Sequence, residues 1–322
     1  MEHIHLIGIG GTGLSAIARV LLESGYIVSG SDMQESPLGR AVQAAGARVF
    51  SGHAAENITG ADLVVRSSAI PDSNVEVQAA RQKGIPVLKR ADFLGQLMAG
   101  RLGIAVAGTH GKTTTTAMIA WLLSALGQNP SFIVGGVVSN LRTNARAGQG
   151  SAFVIEADEY DRMFLGLRPQ MAMITNVEHD HPDIYPSAAD FQAAFRDFVG
   201  CLNPEGFLLL CADDPAAMDL QLTAHNKNLH TLTYGIYNPQ ANYKATNLRA
   251  EADKGFAFDA KKDESLLAQI TLQVPGEHNV LNALAALAIA HQLNLAMDAA
   301  AQALSDFQGT GRRFEVVGEV NG

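Results

Sequence analysis

Cysteine is scarce in this chain: Cys201 and Cys211 are the two in 322 residues, ten apart and without C-x-x-C spacing. Neither a disulfide framework nor a redox pair is encoded, which points to a reducing compartment. Basic residues are also short, with 23 Lys and Arg against 32 Asp and Glu. The formal charge of −9 has the wrong sign for a protein that grips nucleic acid by its phosphates. Long apolar runs are missing too. The longest, Ala283 to Ala290, falls far short of the ~20 residues that span a bilayer, so no membrane insertion is expected. Residues Met1 to His5 carry neither the basic stretch nor the apolar core of a signal peptide, and a cytoplasmic location is expected. The 31 glycines show no triplet period, which excludes collagen-like and low-complexity readings. What remains is 47% hydrophobic and 17% charged, enough apolar mass for two cored domains.

Residues 1 to 100 alternate short β-branched runs with helical stretches, such as His5–Gly8, Leu14–Glu23, Tyr26–Ser31 and Leu38–Ala45. That rhythm predicts an α/β fold with a parallel, Rossmann-like sheet. A second series opens at Ile104–Ala107 and predicts a central α/β domain over 101–308. Within it, residues 243 to 274 alternate apolar and polar like a small antiparallel sheet, followed by an apolar helix near Asn279–Leu293. A new β-rich pattern begins within 309–322, expected as a linker into a third domain.

Two glycine-rich loops stand at the start of the two series. Gly8-Ile9-Gly10-Gly11-Thr12-Gly13 follows an apolar strand and opens a helix, so its amides would face an anion. Asp32, nineteen residues past Gly13, sits where a dinucleotide-binding protein holds a ribose. A nicotinamide site using Gly8, Gly10, Gly13 and Asp32 and a ligand-free tight turn are both compatible with this loop alone. The second loop, Gly108-Thr109-His110-Gly111-Lys112-Thr113, lies between a strand and a helix as a P-loop must. Lys112 would meet the β- and γ-phosphates and Thr113 would offer its hydroxyl to Mg²⁺. The match departs from G-x-x-x-x-G-K-[ST] at one place, Val106 in place of glycine.

After the strand Phe153–Ile155 come four acids in six residues, Glu156-Ala157-Asp158-Glu159-Tyr160-Asp161. Hard carboxylates at a strand end in a P-loop domain suit Mg²⁺. The next strand ends in Glu178-His179-Asp180-His181. Two histidines without cysteine partners do not make a tetrahedral zinc set. One of them is expected as a metal ligand beside Glu156, and His179 as a surface residue.

Together, Gly-Thr-His-Gly-Lys-Thr-Thr-Thr-Thr (108–116), Glu-Ala-Asp-Glu (156–159), Thr-Asn-Val-Glu-His-Asp-His (175–181), Gly-Glu-His-Asn-Val-Leu-Asn-Ala (276–283) and Arg-Arg-Phe-Glu (312–315) resemble the Mur ligases. Ser-Gly-Ser-Asp (29–32), Ser-Ser-Ala-Ile (67–70) and Thr-Asn-Ala-Arg (143–146) favour the branch that adds alanine. The resemblance implies an ATP-dependent ligase joining L-alanine to the lactyl carboxylate of UDP-N-acetylmuramate through an acyl phosphate. It reassigns the first loop to UDP, with Gly10, Gly11, Thr12, Gly13 and Leu14 at the diphosphate and Asp32 near the uridine. Ser68, Thr143 and Asn144 complete the implied substrate set. ATP would be held by Gly108, Thr109, His110, Gly111, Lys112, Thr113, Thr114, Asn282 and Arg313. Mg²⁺ would be held by Thr113, Glu156 and His181, and the implied catalytic residues are Lys112, Glu156, His181 and Arg313.

Two details refine this. No lysine occurs between Lys112 and Lys227, and Phe195-Arg196 stands where sibling ligases carry a carbamylated lysine; the alanine-adding branch does without that lysine, so its absence fits. Tyr160 replaces that branch's usual serine, and Glu-Ala-Asp-Glu-Tyr-Asp also occurs in the related ligase that attaches a recycled tripeptide to UDP-N-acetylmuramate, the alternative. Because the family's third domain supplies part of the ATP and amino-acid sites, these 322 residues are expected to bind UDP-N-acetylmuramate without ligating.

Overall fold

The computed structural model describes residues 2–251 and 255–311. Arg313, with the rest of the Arg-Arg-Phe-Glu motif, lies outside them.

The first unit runs β1 (His3–Ile7), α1 (Thr12–Glu23), β2 (Ile27–Asp32), α2 (Pro37–Ala44), β3 (Arg48–Ser51), β4 (Leu63–Arg66), α3 (Val75–Gln82), β5 (Val87–Lys89) and α4 (Arg90–Met98). Its strands are all parallel in the order β3-β2-β1-β4-β5. The order reverses between β1 and β4, and a doubly wound sheet binds ligands at the carboxyl ends of its strands at that switch point. Local sequence sets the helix starts. Ser36 accepts the Gly39 amide at 2.9 Å with Pro37 in the first turn, and Asn74 accepts the amides of Glu76 and Val77.

The second unit continues with β6 (Leu102–Ala107), α5 (Lys112–Ala125), β7 (Ser131–Val138), β8 (Thr143–Arg146), β9 (Ala152–Glu156), β10 (Met171–Ile174), α6 (Ala188–Val199), β11 (Phe207–Cys211), α7 (Pro215–Met218), α8 (Leu220–Asn226), β12 (His230–Gly235), β13 (Tyr243–Ala250), β14 (Phe256–Lys262), β15 (Ser265–Thr271), α9 (Glu277–Gln292) and α10 (Met297–Ser305). Its ten strands form one sheet ordered β15-β14-β13-β12-β11-β10-β6-β9-β7-β8. The antiparallel strands expected over 243–274 join it as an edge, because β13 pairs with β12 in parallel at Tyr243 and Lys244. Asp219 separates α7 from α8. Helices α5 and α9 pack face to face on the sheet and are buried nearly all round. The Ala283–Ala290 run is therefore a core helix face.

Apolar residues of the two units share one contiguous core, in which Leu14 and Ile17 of α1 join Ala145, Phe153 and Ile155. Strand β8 packs on α1, and α4 packs on the 3₁₀ segment Tyr160–Gly166. At the latter contact Gly95 and Gly166 lie so close that a Cβ on Gly95 would overlap the Gly166 carbonyl. No helix among the described residues is long and apolar enough to cross a membrane.

Candidate active site

The loop after β6 lies at the centre of the second sheet, with β9 on one side and β10 on the other. Gly108 has φ +135° and a Cβ there would overlap the Thr175 hydroxyl, so only glycine lets the chain leave the strand at this point. The turn expected of glycine at 106 is made here instead, and Val106 is a fully buried strand residue. The loop is braced from β10's end: Asn176 Oδ1 accepts the His110 amide at 2.9 Å, and the Thr109 hydroxyl donates to the Glu178 carbonyl at 2.8 Å. Asn282 supports it from below, accepting from the Thr115 hydroxyl and donating to Asn279. A cavity of about 500 Å³ opens beside the loop, lined by His110, Gly111, Thr114, Gln273, Asn279 and Asn282 among others.

The ammonium of Lys112 donates to the carbonyls of Gly108 and Thr109 and to Glu159 Oε1 at 2.7 Å. Glu159 is 1% exposed and its Oε2 is buried without a hydrogen-bond partner among the described residues. Burial pushes its carboxyl pKa up against the attraction of Lys112. Thr113 donates its hydroxyl to Glu156 Oε1 at 2.9 Å, and the Gly135 amide donates to Glu156 Oε2 at 2.8 Å. Burial raises the Glu156 pKa too, although these donors and Lys112 oppose it. His181 stands with Nε2 3.6 Å from Glu159 Oε1, in a left-handed backbone conformation (φ +53°) and edge-on to the Tyr160 ring. Asp161 and Arg162, just beyond, share that conformation, so backbone strain is concentrated here.

These donors suit Mg²⁺. Among the described residues no group of three or more His, Cys, Asp or Glu is set to cage a metal. What exists is a partial set of hard oxygens, Thr113 and Glu156 with the unpartnered Glu159 oxygen nearby, and Mg²⁺ bound with substrate phosphates takes one or two carboxylates.

In the first unit, the amides of Gly8 and Ile9 both donate to the Ser31 carbonyl, and Gly10 donates to Asp32 Oδ2 at 2.9 Å. Asp32 thus holds the loop in shape and lines a cavity of about 110 Å³ with Gly10, Gln34, Ser36, Phe50 and Ser51. The amides of Thr12, Gly13 and Leu14 begin α1, where backbone N–H groups have no intrahelical acceptor. Ser68 is in the exposed turn after β4, across the switch point, and Thr143 and Asn144 start the strand that packs on α1.

Two phosphate-type loops at the carboxyl ends of parallel strands in two abutting units narrow the possibilities, and comparison with known proteins decides among them. The Mur ligase middle-domain profile matches residues 106–290, and the profile described as Mur ligase family, catalytic domain, matches residues 3–102. The chain belongs to the Mur ligase family. A UDP-N-acetylmuramate–L-alanine ligase of Pelotomaculum thermopropionicum is 45% identical over 321 residues, covering 100% of this chain and 69% of that protein. The solved UDP-N-acetylmuramate–alanine ligase of Thermotoga maritima superposes with a TM-score of 0.83 at 30% identity, covering 100% of this chain and 72% of that one. The UDP-N-acetylmuramate:L-alanyl-γ-D-glutamyl-meso-diaminopimelate ligase of Neisseria meningitides gives a TM-score of 0.85 at 32% identity, covering 97% of this chain and 100% of that one.

Set against the residues expected from the Mur ligase resemblance, the structure brings Lys112, Thr113 and Glu156 together on one side of the P-loop. It puts His181 next to Glu159 instead of Glu156. Asn282 spends both ends of its amide on protein partners, bracing the loop while lining the cavity. Glu159 and Gly135 went unassigned in the sequence. Glu159 was one of four acids with nothing to distinguish it, and Gly135 lies in a strand whose glycines hide its pattern.

Proposed function

We propose that this Mur ligase serves the joining of L-alanine to the lactyl carboxylate of UDP-N-acetylmuramate at the expense of ATP, these 322 residues binding the sugar nucleotide and ATP without completing the ligation by themselves. Residues 1–100 receive the sugar nucleotide, residues 101–308 receive ATP, and 309–322 lead onward. The observation that carries this reading is the pairing of Lys112 with Glu159 and of Thr113 with Glu156 inside a P-loop, in a unit that packs on a second one bearing its own glycine cradle.

Charge dictates the chemistry. A carboxylate does not accept an amine at neutral pH, so a lactyl oxygen attacks the γ-phosphorus and the bond to the β–γ bridging oxygen breaks, releasing ADP. The alanine amine then attacks the acyl carbon, and phosphate departs with the carboxyl oxygen. Lys112 neutralises phosphate charge, and the fixed loop amides stabilise the transferring group without reorganising. ATP has to compete with Glu159 for the Lys112 ammonium. Thr113 and Glu156, with Glu159 or His181, would hold Mg²⁺, which when bound offsets the β- and γ-phosphate charge. Arg313 is assigned to the γ-phosphate by the family motif alone.

Attachment of a recycled tripeptide to the same sugar nucleotide is the second reading. Tyr160 favours it, since its ring stands against His181 where alanine-adding enzymes carry serine. Separate titrations test the division of labour. Lys112→Ala should abolish ATP binding and leave UDP-N-acetylmuramate binding intact, and loss of both together would contradict it.

A further inference from the structure

Arg90 has no part in the roles assigned so far, yet its surroundings are unusual for an arginine. It is the first residue of α4, the helix packed on the Tyr160–Gly166 segment of the second unit. Its Nε is buried and finds no hydrogen-bond partner among the described residues. Its Nη1 sits against Gly13 so closely that a Cβ on Gly13 would overlap it. The last glycine of the first loop therefore leaves room for a guanidinium.

That position is electrostatically costly without a counter-ion. Gly13 is in the first turn of α1, which carries no acidic side chain and no side-chain cap, so the positive end of a twelve-residue helix faces a half-buried cation. Burial pushes the guanidinium pKa down, and the opposing charges, Asp158 and Asp161, act on it only at a distance from the second unit. Five rigid N–H donors placed beside unsatisfied amides match the geometry of a phosphate or carboxylate.

We propose that Arg90 is a substrate-binding residue that clamps an oxyanion of the sugar nucleotide against the Thr12–Leu14 amides, the diphosphate being the group its place over Gly13 favours. This rests on the UDP-sugar reading of the first cradle. Because Arg90 belongs to the helix joining the two units, the substrate it grips is held at their boundary.

The test is calorimetric titration of this chain and of Arg90→Gln with UDP, UDP-N-acetylglucosamine and UDP-N-acetylmuramate, with ATP as the control for folding of the second site. Losing charge-assisted hydrogen bonds is expected to weaken all three uridine ligands roughly 10- to 100-fold while ATP binds as before. Arg90→Lys, which keeps the charge and loses the fork, falls between. Weakening confined to UDP-N-acetylmuramate keeps the clamp and moves it to the lactyl carboxylate, which the other two ligands lack. Should Arg90→Gln misfold, Gly13→Ala displaces the guanidinium without removing it and should weaken the same ligands. Unchanged affinity for all three in Arg90→Gln overturns the proposal while leaving the UDP-sugar reading intact. Failure of the unmodified chain to bind any of them overturns both.

Discussion

Replacing Glu76 by Gln tests the buried charge that shapes the first cradle. Glu76 has no exposed surface, yet it is ionised among the Ser31 hydroxyl and the Asn57 amide, each 2.6 Å away, with His53 at 3.4 Å and His5 at 3.6 Å. Burial alone would raise its pKa, but the neighbouring His5 imidazole and the hydrogen bonds from Ser31 and Asn57 outweigh it and pull the carboxyl from 4.5 to about 2. At ~1.36 kcal/mol per pH unit, that depression stabilises the fold by about 3 kcal/mol at neutral pH. A depressed carboxyl contributes fully above its unfolded pKa and loses its contribution as pH falls through its folded one. The stability gap between wild type and Glu76→Gln should therefore be about 3 kcal/mol at pH 7 and close between roughly pH 4.5 and pH 2. Urea unfolding followed by far-ultraviolet circular dichroism at several pH values measures the gap, and subtracting the variant cancels the titrating groups away from Glu76, its neighbours His5 and His53 excepted. A gap below 1 kcal/mol at pH 7, or one that does not shrink in acid, would refute the reasoning. Since Ser31 also accepts the Gly8 and Ile9 amides through its carbonyl, the variant should weaken UDP-sugar binding as well.

Two further perturbations address the second cradle. Lys112→Ala strands a buried carboxylate on Glu159 and should cost about 3–5 kcal/mol in a urea melt; adding Glu159→Gln should restore most of that stability without restoring ATP binding. Glu156→Gln removes a carboxylate whose pKa burial has raised, so without metal the variant should be the more stable at neutral pH, the advantage vanishing in acid where wild-type Glu156 is itself protonated. The same substitution should remove most of the Mg²⁺ dependence of ATP binding, and in wild type that dependence should fade as pH drops through the raised pKa.

The strand-loop-helix units were legible in the sequence because each pairs a buried strand with a glycine turn and an amphipathic or apolar helix. That signal located both cradles, along with Lys112, Thr113 and Glu156. The β7–β8 hairpin was not legible, since Gly135 and Gly136 interrupt its alternation and pairing with β9 fixes it from far along the chain. Nor was α10, whose alanine-rich face declares itself only through contacts such as Trp121 donating to the Ala303 carbonyl. Glu159 and Arg90 were invisible for a related reason. Each is an ordinary charged residue in sequence, and only folding reveals that one carboxylate oxygen and one guanidinium nitrogen are buried without partners.

The central claim is that the first cradle, despite its dinucleotide-type loop and Asp32, receives a uridine sugar nucleotide. Calorimetric titration of this chain with UDP-N-acetylmuramate, with NADH as the control, tests it most directly. Saturable binding of the sugar nucleotide and none of NADH is the predicted result; binding of NADH alone would contradict the account.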